Sequence, residues 1–97
     1  MAKIEQSALA KSDLVDIWLY IAQDNFEAAD RFIDQIEKKF LLLASAPEAG
    51  VKRDKIAAGL RSFPVGDYLI FYMGTEGGIV IVRILSGYRD IEKLFGQ

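Results

Sequence analysis

Arginine and tyrosine concentrate in the second half of this chain: Arg53, Arg61, Arg83 and Arg89 lie there with Tyr68, Tyr72 and Tyr88. A guanidinium offers a planar fork of donors that fits phosphate or carboxylate oxygens, and phenols stack on flat partners. Interleaved on a β-surface, these residues hold phosphates and stack bases, or they dissolve into an ion-pair network with Asp90 and Glu92. Arg83 poses the sharper question. It falls in the middle of Ile79–Leu85, the most hydrophobic stretch of the sequence, where an unpaired charge is costly. Arg83 is therefore either paired or directed to a face left open for a partner.

Composition limits the chemistry further. The 97 residues include no cysteine and no histidine, which excludes disulfides, thiolate zinc sites, thiol nucleophiles and histidine-based triads. No metal and no cofactor are expected. The formal net charge is −2, but it is split: residues 1–50 hold five basic and nine acidic side chains, and residues 51–97 hold seven and five. An acidic half joined to a mildly basic one suits an anionic partner on one face. A hydrophobic fraction of 52% supports a folded core, and the length suits a single domain over residues 1–97. No apolar run approaches the ~20 residues of a spanning helix, and the N-terminus lacks a secretory h-region. A soluble cytoplasmic domain without membrane contact is expected.

The elements that must position these residues follow from periodicity. Residues 3–6 suit a short edge strand. Ser7 suits the N-cap of a helix running to Gln23, with Leu14, Ile17, Trp18 and Ile21 at i, i+3, i+4 and i+7. Asn25 caps a second helix whose stripe is Ala29, Phe32, Ile33, Ile36, Phe40 and Leu43 and whose end precedes Pro47. A polar loop opens at Gly50. The period then changes to 2: strands over residues 59–63, 68–73 and 79–85, with Pro64–Asp67 as a turn and Gly74–Gly78 as a hairpin loop. Residues 88–95 form a polar tail with Ile91, Leu94 and Phe95 at helical spacing. The expected fold is α+β, in the order β-α-α-β-β-β: an N-terminal strand and a two-helix hairpin packed on a small antiparallel sheet.

The first helix is apolar over too wide an arc. Val15, Leu19 and Ala22 form a second stripe roughly 120° from the first, giving about 200° of apolar surface. Either the sheet curls to bury both stripes, or another chain covers the second. Val15, Trp18, Leu19 and Ala22 are accordingly the candidate partner interface.

The run Ala10…Asp13-Leu14-Val15-Asp16-Ile17-Trp18…Tyr20-Ile21-Ala22 resembles the first helix of the RelE/ParE toxin superfamily. The segments Pro47…Gly50, Gly59–Tyr68, Ile70-Phe71-Tyr72 and Val82–Leu85…Gly87–Ile91 resemble it in the same order, and the likeness is closer to the ParE branch. The resemblance implies a RelE/ParE-like fold and the toxin of a type II toxin–antitoxin module, neutralised by a ParD-like antitoxin. It also implies a homodimer or a toxin–antitoxin heterotetramer. ParE-type members poison DNA gyrase, whereas RelE-type members cut mRNA on the ribosome; a non-toxic antitoxin-binding member is a third alternative. Ser86 stands where members often carry histidine. RNA cleavage would draw on Arg61, Arg83, Tyr88 and Arg89, but phosphate contacts dominate nucleic-acid affinity and net −2 suits them poorly. The expectation is a gyrase inhibitor that acts by binding, is not an enzyme, does not bind nucleic acid directly, and presents Arg61, Arg83, Tyr88 and Arg89 to its target.

Overall fold

Along the chain run β1 (Lys3–Gln6), α1 (Ala8–Ala22), α2 (Phe26–Ser45), a single 3-10 turn (Pro47–Ala49), β2 (Val51–Lys52), β3 (Leu60–Val65), β4 (Tyr68–Thr75), β5 (Gly78–Ser86) and a short α3 (Ile91–Leu94). The computed structural model describes residues 2–88 and 91–95. Both expected caps form. The Ser7 hydroxyl accepts from the Ala10 N–H at 3.0 Å, and the Asn25 side chain accepts from the Ala28 N–H at 3.0 Å. Along α2 the stripe buries Ala29, Ile36, Phe40 and Leu43, the last three in one cluster with the sheet, and leaves Phe32 and Ile33 half-buried.

The sheet has five strands in the order β1-β5-β4-β3-β2. It is mixed, not antiparallel throughout, because β1 runs parallel to β5 from Lys3↔Gly78 to Gln6↔Ile81. Alternation along a strand carries no information about the direction of a neighbour so distant in sequence. Strand β2, inside the stretch expected to be loop, pairs Val51 with Ser62 and Lys52 with Arg61. Two residues are too few to show a period. The turn expected at Pro64–Asp67 narrows to Gly66–Asp67, since Pro64 and Val65 pair with Leu69 and Tyr68. At Pro64 β3 has passed the end of β2 and is the sheet edge, where a missing N–H is harmless. Gly66, at φ 56°, supplies the left-handed residue of the turn. The β4–β5 hairpin is likewise tighter than expected, with Gly74 and Thr75 paired to Ile79 and Gly78.

A bulge divides β5. Phe71 pairs with Arg83 but Tyr72 with Ile81, so Val82 is the extra residue. The shift lets Ile79, Ile81 and Ile84 all face the helices, while Leu85 joins Leu60 and Phe71 in a second cluster on the other face. That second cluster is flanked by Ile91 and Phe95, whose ring meets Phe71 edge-on at 5.1 Å.

Tyr72, on the helix face, closes the far end of the core. Its hydroxyl donates to the Pro47 carbonyl and accepts from the Gly50 N–H, both at 2.8 Å. A Cβ at Gly50 would lie 2.5 Å from that hydroxyl, so only glycine lets the backbone approach. Burial pushes the Tyr72 phenol above its ordinary 10.0, although the Gly50 N–H opposes this. The folded protein thus keeps the proton to higher pH than the unfolded chain. Stability is constant with respect to this group below pH 10 and falls as pH rises above it. In urea titrations the advantage of wild type over Tyr72→Phe is expected to narrow above that pH, by at most about 1.4 kcal/mol per pH unit.

Candidate functional site

Strand β1 ends at Gln6, and α1 takes over its work along the edge of β5. The Ser7 N–H donates to the Ile81 carbonyl at 2.9 Å, and the Ser7 hydroxyl donates to the Val82 carbonyl at 2.7 Å. One and a half turns further on, Asp13 meets the strand again. Its Oδ2 accepts from the Ile84 N–H and from Arg83 Nε, and its Oδ1 from Arg83 Nη2, all at 2.9 Å. The side chains are 10% and 18% exposed. The Asp13 carboxylate, chiefly through its hydrogen bonds, holds the Arg83 guanidinium above its usual range against the opposing effect of burial. Of the two alternatives for Arg83, the structure selects the ion pair, with Asp13 as partner; Asp90 and the Glu92 side chain lie outside what the structure describes. The sequence carried a signal for this: Asp13 lies one turn before buried Ile17 on the inward stripe of α1, and a carboxylate there needs a partner.

Among the described residues, the other arginines and tyrosines do not gather into one constellation. Arg61 lies on β3 with one Nη donating to the carbonyls of Gly50 at 2.8 Å and Glu48 at 3.2 Å, tying down the same turn as Tyr72. Arg53 donates from Nε to the buried Ser62 hydroxyl at 2.8 Å. Tyr88 is 84% exposed beyond β5 and reaches Asp67 with its hydroxyl at 3.4 Å. Arg89 lies outside the described residues.

Two open surfaces remain around α1. On its outer face Val15 and Leu19 are 58% and 53% exposed, so the sheet does not curl round to cover the second stripe. Ala22 and Trp18 are half-buried. The Trp18 ring stacks on Phe26 at 5.8 Å and its N–H donates to Asp30 at 2.8 Å, fixing the α1–α2 corner. On its other flank α1 forms a groove of about 720 Å³ with the Gly66–Asp67 turn and the end of β5. Residues of α1, α2, the β3–β4 turn and the end of β5 build this groove, and no local pattern announces it. Among the described residues no group of three or more acidic, histidine or cysteine side chains is placed to hold a metal, and no helix is long and apolar enough to cross a membrane.

The family described as "ParE toxin of type II toxin-antitoxin system, parDE" matches residues 4–91. The chain belongs to the ParE toxin family. Toxin ParE3 of Caulobacter vibrioides is 26% identical over 98 residues, covering 100% of this chain and 98% of that protein. Toxin ParE1 of the same organism is 31% identical over 81 residues, covering 81% and 82%. The solved structure of a "Chromosomal ParDE TA system from P. aeruginosa" superposes with a TM-score of 0.73 at 20% identity, over 89% of this chain and 96% of that one. That likeness is one of fold: in this ParE-family chain two helices pack on a five-stranded mixed sheet, as the α+β assignment expects.

Removing one partner of the Asp13–Arg83 pair leaves a charge uncompensated at a largely buried site. Asp13→Ala is expected to destabilise the fold by about 3–5 kcal/mol, measured by urea denaturation. Adding Arg83→Met is expected to restore part of the loss; equal or greater loss in the double variant would refute the unpaired-charge account.

Proposed function

We propose that this ParE-family chain inhibits DNA gyrase by binding, without catalysis, and that a ParD-like antitoxin neutralises it by covering the outer stripe of α1. The commitment of Arg83 and Arg61 to acceptors within the chain carries the binding reading. Of the four residues that RNA cleavage would draw on, two already have donors engaged within the chain: Nε and Nη2 of Arg83 by Asp13, and one Nη of Arg61 by backbone carbonyls. The net charge of −2 adds to the argument, because a ribosome-directed enzyme needs favourable phosphate contacts. Exposed Val15 and Leu19 support a helix-in-groove or helix-on-helix contact with the antitoxin.

Expression without the antitoxin is expected to cause filamentation and a DNA-damage response, and the purified chain is expected to block supercoiling by gyrase. Codon-linked mRNA cleavage in a translation extract would assign the chain to the RelE-like activity instead. Harmless expression with tight antitoxin binding would make it a non-toxic binding module. Leu19→Lys, at an exposed position, should change unfolding free energy by less than about 0.5 kcal/mol while weakening the antitoxin complex in calorimetry. Collapse of the variant would show that the stripe serves the fold.

A further inference from the structure

Positive charge concentrates where β2 passes through its loop into β3. Residues 51–61 hold Lys52, Arg53, Lys55 and Arg61 against Asp54 alone, a net of +3 in a chain of net −2, which leaves −5 for the rest. Lys52 and Arg61 are direct cross-strand partners. Their Cβ atoms are therefore about 5 Å apart on one face, and like charges so placed cost stability. Among the described residues the ion pairs are Lys3–Glu5 and Arg83–Asp13, so none of these four cations has a carboxylate partner there. Asp54 accepts from the Gly59 N–H at 3.0 Å, and Glu48 meets Arg61 through its backbone carbonyl. Arg53 engages Nε with Ser62, and Arg61 engages one Nη; their other nitrogens and both lysines make no hydrogen bond among the described residues. The loop itself is preformed. The Ile56 and Ala57 N–H groups donate to the Arg53 carbonyl at 2.9 and 3.2 Å, and the Leu60 N–H donates to the Ala57 carbonyl at 3.1 Å. Residues 52–56 line a hollow of about 320 Å³, with half-buried Ile56 inside it and Val51 exposed beside it. In the sheet order β2 lies three strand spacings from β5, about 14 Å, and it is β5 that holds α1. The loop is thus apart from the α1 stripe assigned above to the antitoxin.

We propose that this loop docks an acidic segment of the toxin's protein target, its carboxylates meeting Lys52 with Arg61 and Lys55 with Arg53, and an apolar side chain covering Ile56 and Val51. The inference rests on the reading of gyrase as that target and adds the surface that grips it and the chemistry of the grip. Charge complementarity carries it. A carboxylate brought against Lys52 and Arg61 relieves their repulsion, and a guanidinium fork matches carboxylate geometry. A preformed loop also loses little conformational entropy on docking. Nucleic acid fits the same surface less well. Residues 51–61 contain no aromatic side chain on which a base could stack. Apolar Val51 and Ile56 gain nothing from a phosphate ladder, and a charge of −5 over the rest of the chain repels a long polyanion.

The test compares wild type with the double variant K52E/K55E, both positions exposed, for binding to purified gyrase and to the full-length antitoxin from the adjacent gene. The unfolding midpoint is expected to be no lower than that of wild type, because the reversal at Lys52 turns a like-charge cross-strand pair into an opposite one. Gyrase affinity is expected to fall about tenfold, with a shallower dependence on salt, while antitoxin affinity is unchanged. A variant that binds gyrase as wild type does overturns the loop and leaves the gyrase reading standing. Equal losses toward gyrase and antitoxin overturn the assignment of the loop to the target. No gyrase binding by wild type overturns both. A second arm needs neither the variant nor gyrase: the blocked peptide Asp-Leu-Glu-Leu-Asp is titrated into the isotope-labelled wild-type chain, with Asn-Leu-Gln-Leu-Asn as control and a short DNA duplex as rival. The acidic peptide is expected to move the amide signals of Lys52, Lys55 and Ile56, and the control to leave them in place. Equal shifts from both peptides, or larger shifts from the duplex at equal charge concentration, overturn the proposal.

Discussion

Asp13 and Arg83 stand 70 positions apart in sequence, and the carboxylate between them and the Ile84 N–H is where helix and sheet are joined. A β-strand interrupted by a bulge and deserted by its neighbour exposes donors and acceptors that must be satisfied. Along β5 the start of α1 satisfies them in order: Ser7 takes the carbonyls of Ile81 and Val82, and Asp13 takes the N–H of Ile84. Arg83 then neutralises the carboxylate that this arrangement brings inside. Each part requires the next, since a carboxylate so placed without a cation, or the cation without the carboxylate, would be an uncompensated charge at a largely buried site.

That junction decides what remains exposed. With its inward stripe pinned to β5, α1 cannot roll to hide Val15 and Leu19, and its Asp16–Tyr20 flank forms one wall of the groove above the Gly66–Asp67 turn. At the opposite end, Tyr72 and Arg61 both attach the Pro47–Gly50 turn to the sheet. The polar residues with the greatest chemical potential in the sequence thus hold the fold together. Among the described residues, the surfaces left open around α1 are its apolar outer face and the acidic, aromatic groove. This distribution supports the proposal that this ParE-family chain acts by recognition.

Much of this architecture was legible beforehand because it depends on local spacing. Ser7 and Asn25 could be identified as caps from residue type and position, and the stripe from Ala29 to Leu43 follows from a period of 3.6. The excess apolar arc of α1 was also visible, and with it Val15 and Leu19 as residues in search of cover. The arginine and tyrosine constellation misled because residue type states what a side chain can bond, not which acceptor lies within reach. Arg61 and Arg83 sit where a target-facing surface would want them in sequence, yet each finds its acceptors within the same chain.

The sequence by itself determined the classes of chemistry excluded, the α+β order of the main elements without β2, the two caps and the resemblance to the RelE/ParE superfamily. These follow from composition and from interactions over three or four residues. Only the tertiary structure decided that β1 runs parallel to β5, that a bulge at Val82 turns both Ile81 and Ile84 toward the helices, and that Asp13 is the partner of Arg83. It likewise brought Asp16 and Asp67 to one groove. These are pairings between distant segments, set by which unsatisfied backbone groups and buried charges meet when the layers close, and no local period encodes them.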